Sequence, residues 1–320
     1  MDQLKGYVTM SPRRKLYSVL HKVLGCLDRL GWVPSGTTTY LSHPFVYPLD
    51  SGIGRQIARG EEWDANLGTL ISELLPMDEP VICEVGSNIG ASLLQIIKVK
   101  PLAYLLAFEP SDRFRPFLER NVELAAINRI EIFPLLLGNQ RDTLWLYNTN
   151  TSASVCLKYE HGSSSQRKGP RRKQFFTITT LDEVFRQRPR VDFIKVDTDG
   201  FDLEVIRGAE TTLKRDSPIL YFELYPSASK LSMPVDDMMW LQSISYRRFV
   251  CFAPSGELWG VTDNAEQAVV WAESKGYCDI LVCPDGSPSE ALVENLISMS
   301  PPRFGRVRKA EIPSSKSGRG

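Results

Sequence analysis

The ten residues Val81-Ile82-Cys83-Glu84-Val85-Gly86-Ser87-Asn88-Ile89-Gly90 constrain this chain more than any other stretch. A short apolar run ends in an acid, turns through two glycines and enters Ala91-Ser92-Leu93-Leu94-Gln95-Ile96-Ile97, where the apolar positions have helical spacing. Strand, glycine turn and helix in that order hold a ligand at the carboxyl end of a strand. Glycine lets the backbone take positive φ and approach closely, and the helix start presents unpaired N–H groups. The register disfavours two ligand classes, and with them the rival reading of a nicotinamide oxidoreductase. Glu84-x-Gly86-x-x-x-Gly90 lacks the middle glycine through which a dinucleotide site admits a pyrophosphate, and Gly90-Ala91-Ser92 lacks the lysine of a triphosphate loop. An acid just before the first glycine suits instead a ligand with a cationic amine or sulfonium.

The rest of the chain supplies the sheet that such a turn needs. Strands are expected at residues 81–85, 104–109, 130–137, 193–197, 219–223, 248–253 and 279–283. Helices are expected at residues 64–75, 91–97, 111–126 and 201–213. This alternation predicts an α/β fold: a seven-stranded, mostly parallel sheet with right-handed crossovers and helices on both faces. Leu144-Trp145-Leu146-Tyr147 and Phe175-Phe176-Thr177-Ile178 read as a strand pair flanking a basic insert, residues 158–173. That insert carries Lys158, Arg167, Lys168, Arg171, Arg172 and Lys173 and reads as a mobile segment or a lid over an acceptor. Leu16, Leu20, Val23, Leu24, Leu27 and Leu30 define an amphipathic helix, and residues 31–60 are rich in turn formers with room for a small hairpin. Residues 1–59 therefore read as a helical, turn-rich cap, residues 60–298 as the main domain, and residues 299–320 as a basic, disordered tail.

Composition decides what the chain is not built to meet. Lysine plus arginine equal aspartate plus glutamate at 38 each, so no global field attracts nucleic acid or an anionic membrane. The apolar run near the N-terminus is interrupted by His21 and Lys22, too short for a signal peptide or a membrane span, so no stable membrane insertion is expected. The six cysteines are scattered and no histidine stands at ligand spacing from Cys278 and Cys283. A cytoplasmic protein with reduced thiols is expected.

Further motifs occur in a fixed order. They are Gly60-Glu61-Glu62-Trp63, the 84–90 turn, Phe108-Glu109-Pro110, Thr180-Leu181-Asp182-Glu183, Val191-Asp192-Phe193-Ile194-Lys195-Val196-Asp197-Thr198-Asp199-Gly200, Leu203-Glu204-Val205, Gly208-Ala209 and Glu223. From about residue 60 to 226 the chain thereby resembles the FkbM-type methyltransferases. The resemblance implies a class I, Rossmann-like methyltransferase fold, S-adenosylmethionine as cofactor, and methyl transfer to a small-molecule hydroxyl, commonly on a sugar or natural product. It implies that Glu84, Gly86, Asn88 and Gly90 surround the methionine end of the cofactor, that Asp197 also binds the cofactor, and that Glu109 accepts from the ribose hydroxyls. A strand-end carboxylate is the acceptor that a vicinal diol needs. Asp199 and Glu223 are the candidate catalytic acids, one of them serving as base toward the acceptor hydroxyl. The same acids could ligate magnesium or calcium, but no metal is expected. Asp199 stands where the family usually has glutamate, which keeps open a catalytically silent cofactor-binding or scaffolding member; methylation of a peptide or protein is a further alternative.

Overall fold

The computed structural model describes residues 33–148, 153–156, 173–188, 190–228, 233–253 and 255–298. The expected N-terminal helix, residues 158–172 of the insert and the basic tail lie outside the described residues. The described part of the cap is a hairpin, β1 (Ser35–Tyr40) and β2 (His43–Pro48), followed by the short helix Gly52–Ala58. Helix Ala65–Leu74 leads into β3 (Val81–Val85), helix Ala91–Val99, β4 (Tyr104–Phe108), helix Arg115–Leu124 and β5 (Ile130–Phe133). Then come β6 (Leu136–Leu137), β7 (Asp142–Asn148), β8 (Ala153–Cys156) and β9 (Lys173–Thr179), which pair in the order β6-β9-β7-β8 as a second, four-stranded sheet. The chain re-enters the main sheet through β10 (Phe193–Val196) and β11 (Ile219–Leu224), and ends it with β12 (Phe249–Phe252), β13 (Leu258–Thr262) and β14 (Cys278–Val282).

The main sheet runs β13-β12-β14-β11-β10-β3-β4-β5, with β14 antiparallel between β11 and β12. All seven expected strands are present in the expected α/β, Rossmann-like arrangement, and β13 is an eighth. Its five residues centre on Gly260, and a glycine in so short a run leaves a weak strand signal. Two expectations need correcting in detail. The run 130–137 divides into β5 and β6, which join different sheets; Pro134, between them, has no N–H for a ladder. The helix expected over residues 201–213 is two, Asp202–Arg207 and Glu210–Asp216, because Asp182 caps the second from outside through the Thr211 and Thr212 N–H groups at 2.9 and 2.7 Å.

Alternation along the strands sends side chains to two buried apolar layers. Cys83, Val85, Phe108, Val196 and Phe222 pack on one face with the helices of the 181–216 region. Ile82, Leu105, Phe193 and Leu281 pack on the other with Leu67, Leu94, Phe114 and Phe45 of the hairpin. The hairpin is fastened to this second face by polar groups as well. Asn121, fully buried, accepts the Val46 N–H at 2.7 Å and donates to the Val46 carbonyl at 2.9 Å and to the Ile89 carbonyl at 2.8 Å. One side chain thus joins the hairpin, helix Arg115–Leu124 and the glycine turn. Arg113 and Asp50 add a buried ion pair at 2.5 Å.

Asn121→Ala would leave those three backbone groups without their partner, and each buried polar group so orphaned costs about 1–3 kcal/mol. Urea denaturation should show a loss of roughly 3 kcal/mol, partly offset by entering water.

Candidate active site

The glycine turn is fixed by what crowds it. Gly86 has φ +88°, and a Cβ there would lie 1.9 Å from the Asp197 carbonyl oxygen, so only glycine permits β3 and β10 to bring their ends together. The Gly86 and Ser87 N–H groups both donate to the Phe108 carbonyl, at 3.0 and 3.1 Å. Asn88 takes the left-handed conformation at φ +49°, and its N–H donates to the Glu109 carboxylate at 2.8 Å; the Ser111 N–H donates to the other oxygen at 2.9 Å. Glu109 is therefore a brace between the end of β4 and the turn. Burial pushes its pKa up to about 7 despite those two backbone donors.

Strand register sets the next layer. Glu84 lies beside Lys195, and Lys195 beside Tyr221. Burial alone would discharge Lys195, but Asp197, Asp64 and Glu84 around it more than reverse that and hold its pKa above the ordinary 10.5. Its Nζ is 2.9 Å from Asp197, 3.6 Å from Asp64 and 3.9 Å from Glu84. Glu84 itself is buried, which raises its pKa, while Lys195 and the Ser92 and Ser87 hydroxyls oppose the rise. Beyond Asp197 the chain turns through Asp199, at φ +55°, and the Asp202 carboxylate clamps that turn by accepting the Thr198 and Gly200 N–H groups at 3.0 Å each. Burial, with Asp197 nearby, raises the Asp202 pKa to about 7.

A cavity of about 680 Å³ opens over this edge of the sheet. Of the eight residues expected at the site, Gly86, Asn88, Asp197, Asp199 and Glu223 line it; Glu84, Gly90 and Glu109 lie behind the wall and support it. Sequence reading missed Lys195, Tyr221, Tyr277 and Asp279, which also line it, and Asp64, which arrives from the segment before helix Ala65–Leu74. Two of these carried a signal. A lysine inside the apolar run Phe193–Val196 and an aspartate inside Cys278–Val282 are charges in central strands, which fold only with partners.

Six carboxylates, from Glu62, Asp64, Asp197, Asp199, Glu223 and Asp279, face the cavity with one ammonium, that of Lys195. Crowding of like charges therefore governs its chemistry. Burial, then Asp197, Asp202, Asp199 and Asp279, push the Glu223 pKa up to about 10, and its buried Oε2 has no hydrogen-bond partner. Burial also holds Asp279 well above the ordinary carboxylate range, with Asp64 and Asp197 adding to the rise. Glu223 thus holds a proton at neutral pH and can donate a hydrogen bond into the cavity. Such a donor set fits a ligand that brings positive charge. Among the described residues no group of histidine, cysteine, aspartate and glutamate is arranged to hold a metal ion.

Residues 84–248, just over half of the chain, match the family described as the methyltransferase FkbM domain. Among curated proteins, the methyltransferase sdnD of Sordaria araneosa is 29% identical over 157 residues, 41% of this chain and 61% of that protein. The 2-O-methyltransferase NoeI of Sinorhizobium fredii is 24% identical over 161 residues, 45% of this chain and 63% of that protein. The chain therefore spans about six tenths of the length of these relatives. Among solved structures, the FkbM methyltransferase of Methylobacillus flagellatus KT aligns with TM-score 0.42 at 17% identity, covering 67% of this chain and 47% of that one.

The raised carboxyl pKa values give stability a definite pH dependence. A carboxyl group that is ionised above 4.5 when unfolded but keeps its proton to about 10 when folded, as Glu223 does, binds more protons in the native state across that window. The unliganded protein should therefore lose stability as pH rises through it, by on the order of 1 kcal/mol per unit for one such group. Glu223→Gln removes that titration, so denaturation midpoints measured from pH 6 to 9 should fall less steeply in the variant.

Proposed function

Since the chain belongs to the FkbM methyltransferase family, whose domains depend on S-adenosylmethionine, we propose that it is a cytoplasmic O-methyltransferase acting on a hydroxyl of a small molecule, a sugar or natural product. One observation carries this reading: a single cavity joins the glycine turn, where the family holds the methyl donor, to Asp199 and Glu223. Balanced overall charge favours a small acceptor over nucleic acid.

The residues divide the work by position. Gly86, Asn88 and Asp197 on the wall, with Glu84 behind it, would hold the methionine end of the cofactor, and Glu109, also behind the wall, would accept from the ribose hydroxyls through the lone pairs that its two backbone donors leave. When bound, the cofactor supplies an activated methyl group: the acceptor oxygen forms the new bond to carbon as the carbon–sulfur bond breaks, and sulfur keeps the electron pair. The protein must hold the acceptor oxygen in line and remove its proton. Asp199 is the base in this reading. Glu223, holding its own proton, donates to a neighbouring oxygen of the acceptor and fixes its orientation.

The test is calorimetry with S-adenosylmethionine, followed by incubation of the methyl-labelled cofactor with a panel of hydroxylated sugars and natural products. No binding, or binding of NAD instead, overturns the assignment. Asp199→Asn should lower kcat by about 100-fold or more while cofactor affinity stays within about threefold of the parent, the signature of a lost proton acceptor. Gly86→Val should abolish cofactor binding, since a branched side chain cannot occupy the space before the Asp197 carbonyl; normal affinity there would move the cofactor elsewhere.

A further inference from the structure

Asp64 immediately precedes helix Ala65–Leu74, where an aspartate ordinarily turns back to accept a helix N–H. It makes no such bond. Its backbone is left-handed, at φ +48° and ψ +50°, and its carboxylate is directed at Lys195, 3.6 Å away, on the cavity wall. A non-glycine residue held in that region, having given up its capping role, marks a position that the surrounding structure enforces.

The enforcing contacts come from the hairpin and from the helix that the glycine turn opens. The Tyr40 hydroxyl, at the end of β1, donates to the Trp63 carbonyl and accepts the Trp63 N–H, each at 3.2 Å. Gln95 donates to the same carbonyl at 3.2 Å and to the Tyr40 hydroxyl at 2.9 Å, and Gln95 is itself buried. Trp63 is thereby locked on both backbone groups, and the next residue has one way to point. Asp64 enters the cavity that Gly86, Ser87 and Asn88 also line.

We propose that Asp64 is a cofactor-discriminating residue, a negative charge carried into the site by the N-terminal segment that favours the sulfonium of S-adenosylmethionine over the neutral thioether of S-adenosylhomocysteine. The proposal rests on the methyltransferase reading above. Asp64 lies outside residues 84–248, so the family match does not assign it. Donor and product share their adenosine, ammonium and carboxylate and differ by one methyl and one positive charge. Contacts along the glycine turn and at Glu109 serve both alike, whereas a carboxylate in the cavity distinguishes them by charge. Once the methyl has left, the attraction between Asp64 and the sulfonium is gone, and the product is held less tightly than the donor.

Asp64→Asn tests this with little disturbance, because asparagine tolerates left-handed backbone and keeps the shape of the side chain. Affinities for S-adenosylmethionine and S-adenosylhomocysteine are measured by calorimetry on parent and variant at one pH and salt concentration. The expected result is at least a tenfold loss for the sulfonium and less than a threefold change for the thioether, with Asp64→Glu retaining most of the difference. Equal losses for both ligands, or no loss, overturn the proposal and leave the cofactor assignment standing. A parent that binds neither ligand overturns the functional reading itself. If Asp64→Asn fails to fold, Asp64→Gly, which is also at ease in left-handed backbone, carries the same expectation.

Discussion

Everything at this site depends on how closely two strand ends approach. The carbonyl of Asp197 stands where the Cβ of any other residue at position 86 would be, so the β3 and β10 loops meet only through glycine. The register behind that meeting is held at the other end of the strands, where the Val81 N–H donates to the Asp192 carboxylate at 2.9 Å and the Asp192 N–H returns to the Val81 carbonyl at 2.9 Å. With this pairing fixed, Glu84 faces Lys195 and Gly86 faces Asp197. A slip of one residue would send these side chains to the opposite, apolar face, where neither charge has a partner.

The charge arrangement that follows is costly to the unliganded protein. Carboxylates at Asp64, Asp197, Glu223 and Asp279 surround a single lysine among the described residues, and burial raises the pKa of Asp64, Glu223 and Asp279 above the ordinary carboxylate range. A structure selected for stability alone would not gather them. Concentrating like charge in a cavity, with only Lys195 to organise it, is the pattern expected where binding and chemistry set the requirement. The two tyrosines at its rim, Tyr225 and Tyr277, with ring centroids 5.7 Å apart, give the same cavity an apolar margin.

Much of this was legible in the sequence, for physical reasons. The apolar runs that became β3, β4, β10 and β11 are buried on both faces, so they show as hydrophobic stretches broken only by Glu84, Lys195 and Glu223, and the acids that end them fall near the sheet's carboxyl edge by construction. The second sheet was half legible: β7 and β9 pair directly as expected, while β8 was not anticipated. What could not be read were residues whose meaning is purely tertiary. Asp64 reads as part of a helix start, Asn121 as a polar residue on an amphipathic helix, and Tyr40 as one of several aromatic residues in a turn-rich segment. Each acquires its role from a partner distant in sequence, 75 residues away in the bond from Asn121 to Val46. No local periodicity encodes such a partner.

The bond between Val81 and Asp192 spans 111 residues. Loops of that length close late, because chain entropy must be lost before any long-range contact compensates for it. During synthesis the glycine turn therefore emerges well before the strand against which it is shaped, and it has no fixed form until β10 is added beside β3. The ligand pocket is consequently complete only once β10 and the strands after it have joined β3, and it is not a nucleus for the sheet. A ligand that binds there can hold the finished sheet together, but it has nothing to bind while the chain is still choosing its register.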